Sequence, residues 1–103
     1  MKITHPMFKL LAVATVALSG SVALAQTKWD MPTPYPETNF HTKNIHQFAD
    51  EVAAQSGGKL TITVHSNGSL IKHPEIKRAV QTGQVPIGEL LSSVQANESP
   101  LYA

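Results

Sequence analysis

The sequence predicts an α/β fold in which strands and helices alternate as β-α-β-α-β. Three observations carry that reading. Ile45, Phe48, Ala49, Val52 and Ala53 recur at the spacing of one buried helical face. Leu60 to His65 (LTITVH) alternates apolar and polar side chains and is rich in β-branched residues, the pattern of a half-buried strand. A second helical pattern opening at Pro74 then separates this strand from another apolar run, Val85 to Leu91. Strands divided by helices of this length pair in parallel through right-handed crossovers.

Residues 1–25 read as a cleavable export signal. Met1 to Lys9 holds two lysines and no acid, and Leu10 to Leu18 is a run of nine uncharged residues. Ser19 and Gly20 break that run, and Ala23-Leu24-Ala25 supplies small residues for a signal peptidase, so cleavage is expected between Ala25 and Gln26. About 20 apolar residues are needed to span a bilayer, so the run is too short for an anchor. The segment 26–103 is then the folded part, exported and soluble.

Within it, Lys28 to Pro32 is a first strand. Pro34 and Pro36 forbid a helix immediately after it, and Thr38 or Asn39 suits the cap of the helix that follows. Gly57-Gly58 ends that helix, LTITVH is the second strand, and Asn67-Gly68 is a turn. Pro74 fits the first position of the second helix, with Glu75 at its positive end, Ile76, Ala79 and Val80 on its buried face, and Gly83 at its stop. Val85 to Leu91 is a third strand, with Pro86 at its start or on an edge. Gln95 to Pro100 reads as a polar loop or frayed tail.

Composition narrows the function classes. Of 103 residues, 78 follow the signal, near the lower limit for one self-sufficient core. The formal charge is +1, and without Lys2 and Lys9 six basic residues face seven acidic ones, so no basic stripe is present for nucleic acid. The absence of cysteine excludes disulfides, thiol nucleophiles and lipid attachment through a cysteine. His41 and His46 are five apart and share no helical face, and His65 and His73 lie on different elements, so no metal site is expected. No cofactor loop, Gly-x-Ser-x-Gly elbow or His-Glu-x-x-His motif occurs, so the chain shows no catalytic machinery. A three-stranded parallel sheet with two helices also lacks cover for both faces, as the front part of a longer protein would.

An ordered series of blocks carries a specific resemblance. Phe48-Ala49-Asp50-Glu51-Val52, Ser56-Gly57-Gly58-Lys59-Leu60, Ser69-Leu70, Glu75 to Val80, and Gln81-Thr82-Gly83-Gln84-Val85-Pro86-Ile87-Gly88 follow one another in register. Together they resemble the N-terminal part of the DctP-type solute-binding proteins of TRAP (tripartite ATP-independent periplasmic) transporters. Pro86 is the departure, since many relatives carry an acidic or polar residue there. The resemblance implies a two-lobed periplasmic binding protein fold of type II-like form. Residues 26–103 would be the N-terminal portion of lobe I, with the fold incomplete in this chain. It also implies capture of a carboxylate-containing small molecule, a dicarboxylate or related organic acid, delivered to TRAP membrane permease subunits. The arginine that clamps the ligand carboxylate would lie beyond residue 103. The alternative classes are an exported enzyme, or a small interaction domain, whose active residues lie outside this stretch.

Ligands in open parallel sheets sit beyond the C-terminal ends of the strands. There Tyr35 offers an aromatic face and a hydroxyl, or else packs as a loop aromatic. Asn39 suits helix capping more than ligand contact. His73 lies in the loop after the second strand and is expected to cap the second helix. Glu89 interrupts an apolar run, and a buried carboxylate without a partner is costly. It requires a ligand in the cleft, a structural partner, or an exposed position. Tyr35, Asn39, His73 and Glu89 are the candidate substrate-binding residues.

Overall fold

The computed structural model describes residues 25–103. The expected signal segment, apart from Ala25, lies outside the described residues. The architecture is α/β: β1 (Thr27–Pro32), α1 (Phe40–Gln55), β2 (Leu60–His65), a 3₁₀ turn at His73–Glu75 running into α2 (Ile76–Gln81), then an extended segment and two further 3₁₀ turns. β1 and β2 pair in parallel, with Thr27 opposite Leu60 and Pro32 opposite His65. The β-α-β unit places α1 against β2.

Local chemistry explains the helix ends. Asn39 is extended, and its side chain accepts the His41 N–H at 2.9 Å, which satisfies one of the orphan donors of the first turn of α1. At the other end Gly58 N–H reaches the Ala53 carbonyl at 2.8 Å and Gly57 N–H the Ala54 carbonyl at 3.2 Å, a Schellman exit with Gly57 at φ +62°. The Ser56 hydroxyl accepts the Leu60 N–H at 3.1 Å and so joins the end of α1 to the start of β2. α2 leaves by the same geometry through Gly83 and Gln84.

A buried cluster of Ile71, Ile76, Ala79 and Val85, with Leu90 packed against it, holds α2 to the returning segment. Gly88 makes that approach possible. A Cβ built on it would lie 2.7 Å from Ile76 Cγ2 and 3.4 Å from both Pro32 Cγ and Val80 Cγ2. Two residues expected on buried faces are partly out of them: Phe48 is 41% and Val80 38% exposed. α1 lies on a sheet of only two described strands and α2 on the returning segment alone, so each helix meets a narrow surface.

Val85 to Leu91 does not form the expected third strand. In a parallel sheet, alternate residues of a central strand bond to alternate neighbours. Thr27 and Thr33 donate toward the β2 side, to Lys59 and His65, so the even-numbered residues of β1 turn their backbone the other way. Pro32 is one of them. Its carbonyl accepts the Glu89 N–H at 3.0 Å, but proline has no N–H to return. The next donor on the same side of the returning segment, Leu91 N–H, goes to a side chain instead. One rung is left where a ladder was expected.

The tail also differs from the expectation of a loose loop. Ser92–Gln95 and Pro100–Tyr102 form 3₁₀ turns, and Gln95 is buried. Glu98 pairs with Lys77 of α2, whose ammonium also stands 5.7 Å from the Tyr102 ring centroid. That pairing holds the Lys77 ammonium above its ordinary basicity.

Candidate functional site

The loops beyond the C-terminal ends of β1 and β2 are tied together by main-chain bonds. Thr33 is fully buried; its N–H donates to His65 (2.9 Å) and its carbonyl accepts from Gly68 (3.0 Å). The Tyr35 carbonyl accepts twice, from Asn67 N–H at 2.7 Å and from the Thr42 hydroxyl of α1 at 3.2 Å. The Ser66–Ser69 turn that makes this possible closes with a 3.1 Å bond and has Asn67 and Gly68 both at positive φ. Asn tolerates that region better than most side chains do. The proline-rich loop is therefore held from three sides.

On this platform stands a row of rings. Phe40 meets His41 at a centroid distance of 4.0 Å, His41 stacks on Tyr35 at 4.9 Å and 27°, and the His73 ring meets Tyr35 edge-on at 6.1 Å and 66°. His73 then receives the Leu91 N–H on Nε2 at 3.0 Å. Tyr35, His73 and the backbone that carries Glu89 thus meet at one edge, although 54 positions separate Tyr35 from Glu89. Glu89 itself is half-buried, and its Oε2 is buried with no hydrogen-bond partner among the described residues.

Asn39 stands at the same edge, but its side-chain oxygen is engaged in the α1 cap. His73 does not cap α2, as the sequence suggested. It occupies the first position of the 3₁₀ turn, the residue before it is the cap position, and its ring reaches across to the returning segment. His41 was legible only as a metal candidate, and its stacking on Tyr35 is a through-space relationship that helical spacing does not disclose. The other two described histidines are paired with acids: His65 Nε2 with Asp30 Oδ1 and His46 Nε2 with Glu37 Oε2, both at 2.8 Å. Ser66 and His46 hold the Glu37 carboxyl below its usual range, the Ser66 hydroxyl contributing most. Among the described residues no three potential metal ligands gather, and no helix is long and apolar enough to cross a membrane.

A parallel α/β unit with aromatic and polar groups assembled beyond its strand ends is the layout of a small-molecule binding lobe. The chain belongs to the DctP family, described as bacterial extracellular solute-binding protein, family 7, which matches over residues 33–100. It is similar to DctP6 of Bordetella pertussis, an extracytoplasmic solute receptor binding pyroglutamic acid, at 58% identity and TM-score 0.72. It is also similar, at 60% identity and TM-score 0.72, to a marine-metagenome TRAP solute-binding protein specific for pyroglutamate and crystallised with it. DctP7 of Bordetella pertussis, which binds pyroglutamic acid as well, matches at 51% identity and TM-score 0.72. Each match covers 74% of this chain and 25% of the receptor, so the chain spans about a quarter of the length of these receptors. The family and these neighbours are solute-binding receptors, not enzymes. No curated protein matches the chain.

Proposed function

We propose that residues 26–103 are the N-terminal portion of lobe I of a periplasmic TRAP receptor, exported by residues 1–25. Its partners are a small carboxylate ligand and the TRAP permease subunits. The ligand we favour is pyroglutamate rather than a dicarboxylate. The observation that carries this reading is Glu89 Oε2, buried and without a partner, on the segment whose Leu91 bonds the His73 ring that meets Tyr35.

An ionised carboxylate only accepts hydrogen bonds, and a buried acceptor left unsatisfied is unfavourable. A lactam ring supplies the N–H that Glu89 lacks, while its own carboxylate points elsewhere. A dicarboxylate offers no donor to Glu89 and brings a second negative charge toward it. Tyr35 presents a ring face and a hydroxyl to such a flat ligand, and Asn39 contributes through the cap that fixes α1. The resemblance puts the cation for the ligand carboxylate beyond residue 103. The likeness to three receptors for pyroglutamate at 51–60% identity supports the choice.

Calorimetry on the full-length receptor tests the proposal. Pyroglutamate is expected to bind more tightly than succinate, and Glu89→Gln to weaken it by about 1–3 kcal/mol, the range for a hydrogen bond to a charged group. Preference for succinate sinks the lactam reading. Unchanged affinity with a lowered melting temperature makes Glu89 a structural residue.

A further inference from the structure

We propose that His73 is a positioning residue of this site, holding the Glu89–Leu91 segment beside the Tyr35 ring through an unprotonated Nε2. The proposal rests on the receptor reading above and adds a residue that acts through Leu91 rather than on the ligand. Leu91 N–H donates to His73 Nε2 at 3.0 Å, across 18 positions of sequence. A ring nitrogen that accepts an N–H offers its lone pair, so the imidazole proton is on Nδ1. A protonated imidazole has two donors and no acceptor, and Leu91 N–H would then confront another N–H.

Besides the Val94 N–H that the Leu91 carbonyl accepts at 3.1 Å, the segment has few bonds to its backbone. Between Ile87 and Leu91 the described main-chain N–H bonds are Glu89 to Pro32 and Leu91 to His73, which bracket the carboxylate-bearing residue and its successor. The His73 ring meets Tyr35 edge-on, so the same side chain orders both walls of the edge. Facing it are Tyr35 from the loop after β1, with His41 of α1 stacked behind it, and the returning segment, whose ionisable residue is Glu89. Lys72 and Glu75 lie on its own turn. Acidification therefore releases the segment by removing an acceptor, and ligand affinity falls with it.

The test is pyroglutamate calorimetry on the full-length receptor at descending pH, for the native protein, His73→Gln and His73→Phe. The glutamine carbonyl can take the Leu91 N–H and gains no proton. His73→Phe is expected to weaken binding about three- to tenfold at neutral pH, the loss of one ordinary hydrogen bond. Native affinity falls toward the His73→Phe value on acidification, while His73→Gln stays close to native at neutral pH. The affinity ratio of native to His73→Gln cancels whatever pH dependence the two proteins share. A ratio that does not change with pH, or an unaltered His73→Phe, overturns the proposal. A receptor that binds no pyroglutamate refutes the function proposed above, and the latch is then read without ligand. A lower Leu91 amide protection factor, with the intrinsic pH dependence of exchange divided out, in His73→Phe and on acidification of the native protein upholds it, and equal protection throughout overturns it.

Discussion

Glu89 donates its backbone N–H to the Pro32 carbonyl at 3.0 Å, and Pro32 has nothing to give back. This one-way bond sets the shape of the site. It keeps the returning segment beside β1 for a single rung, then lets it leave the sheet so that Leu91 can meet His73. The stretch between those two anchors carries Leu90 and the Glu89 carboxylate with its unpartnered oxygen.

The close passage of Gly88 predicts a steep cost for any side chain there. Gly88→Ala would put a methyl group 2.7 Å from Ile76 Cγ2, between α2 and Pro32, where Ile76 must move. A loss of about 1–3 kcal/mol in denaturant unfolding is expected, the usual scale for overpacking. An unchanged midpoint would show that α2 can shift freely away from the segment.

Asn39 is expected to separate stability from binding. Asn39→Ala removes the acceptor for His41 N–H and costs about 0.5–2 kcal/mol, while Asn39→Ser retains a cap and most of the stability. Pyroglutamate affinity should stay native in Asn39→Ser. A drop there would mean that the amide itself touches the ligand.

Glu37 predicts an acid limit to the platform. Its carboxyl is held below the ordinary value of 4.5, first by the Ser66 hydroxyl and then by His46. A depressed folded-state value stabilises the fold fully above 4.5, and the contribution disappears as pH falls through the lowered value. Melting temperature should decline over that window more in the native receptor than in Glu37→Gln. Parallel curves would exclude Glu37 from the tie between loop, α1 and the turn after β2.

Tyr35→Phe should weaken pyroglutamate binding by about 0.5–1.5 kcal/mol and leave melting unchanged, because the bonds that fix this residue belong to its carbonyl. Native affinity in the variant would reduce Tyr35 to a packing role.

Much of this arrangement is local and was legible in the sequence. The alternation in LTITVH, the glycines after residue 55, Asn39 before an apolar-periodic run and Pro74 at a helix start each carry their geometry within a few positions. β2 runs from Leu60 to His65 as read. The third strand failed because its fate depended on which way Pro32 faces, and that is set by pairing with β2. His73 was misread for a similar reason: a ring at a helix start suits a cap, but its partner stands 18 residues away. The order of the tail depends on Glu98 finding Lys77, again across the fold. The stacking of His41 on Tyr35 had no sequence signal.

The doubly bonded Tyr35 carbonyl has a consequence for the thermodynamics of capture. Asn67 and Thr42 fix the main chain of a loop that prolines at 34 and 36 have already stiffened, so its backbone freedom is spent during folding. A ligand arriving at the ring row meets a wall that is ordered in advance, and little entropy remains to be lost there on association. The less constrained wall is the segment bonded to Pro32 and His73, and on the proposed reading the temperature dependence of binding should report the ordering of Glu89 rather than of Tyr35.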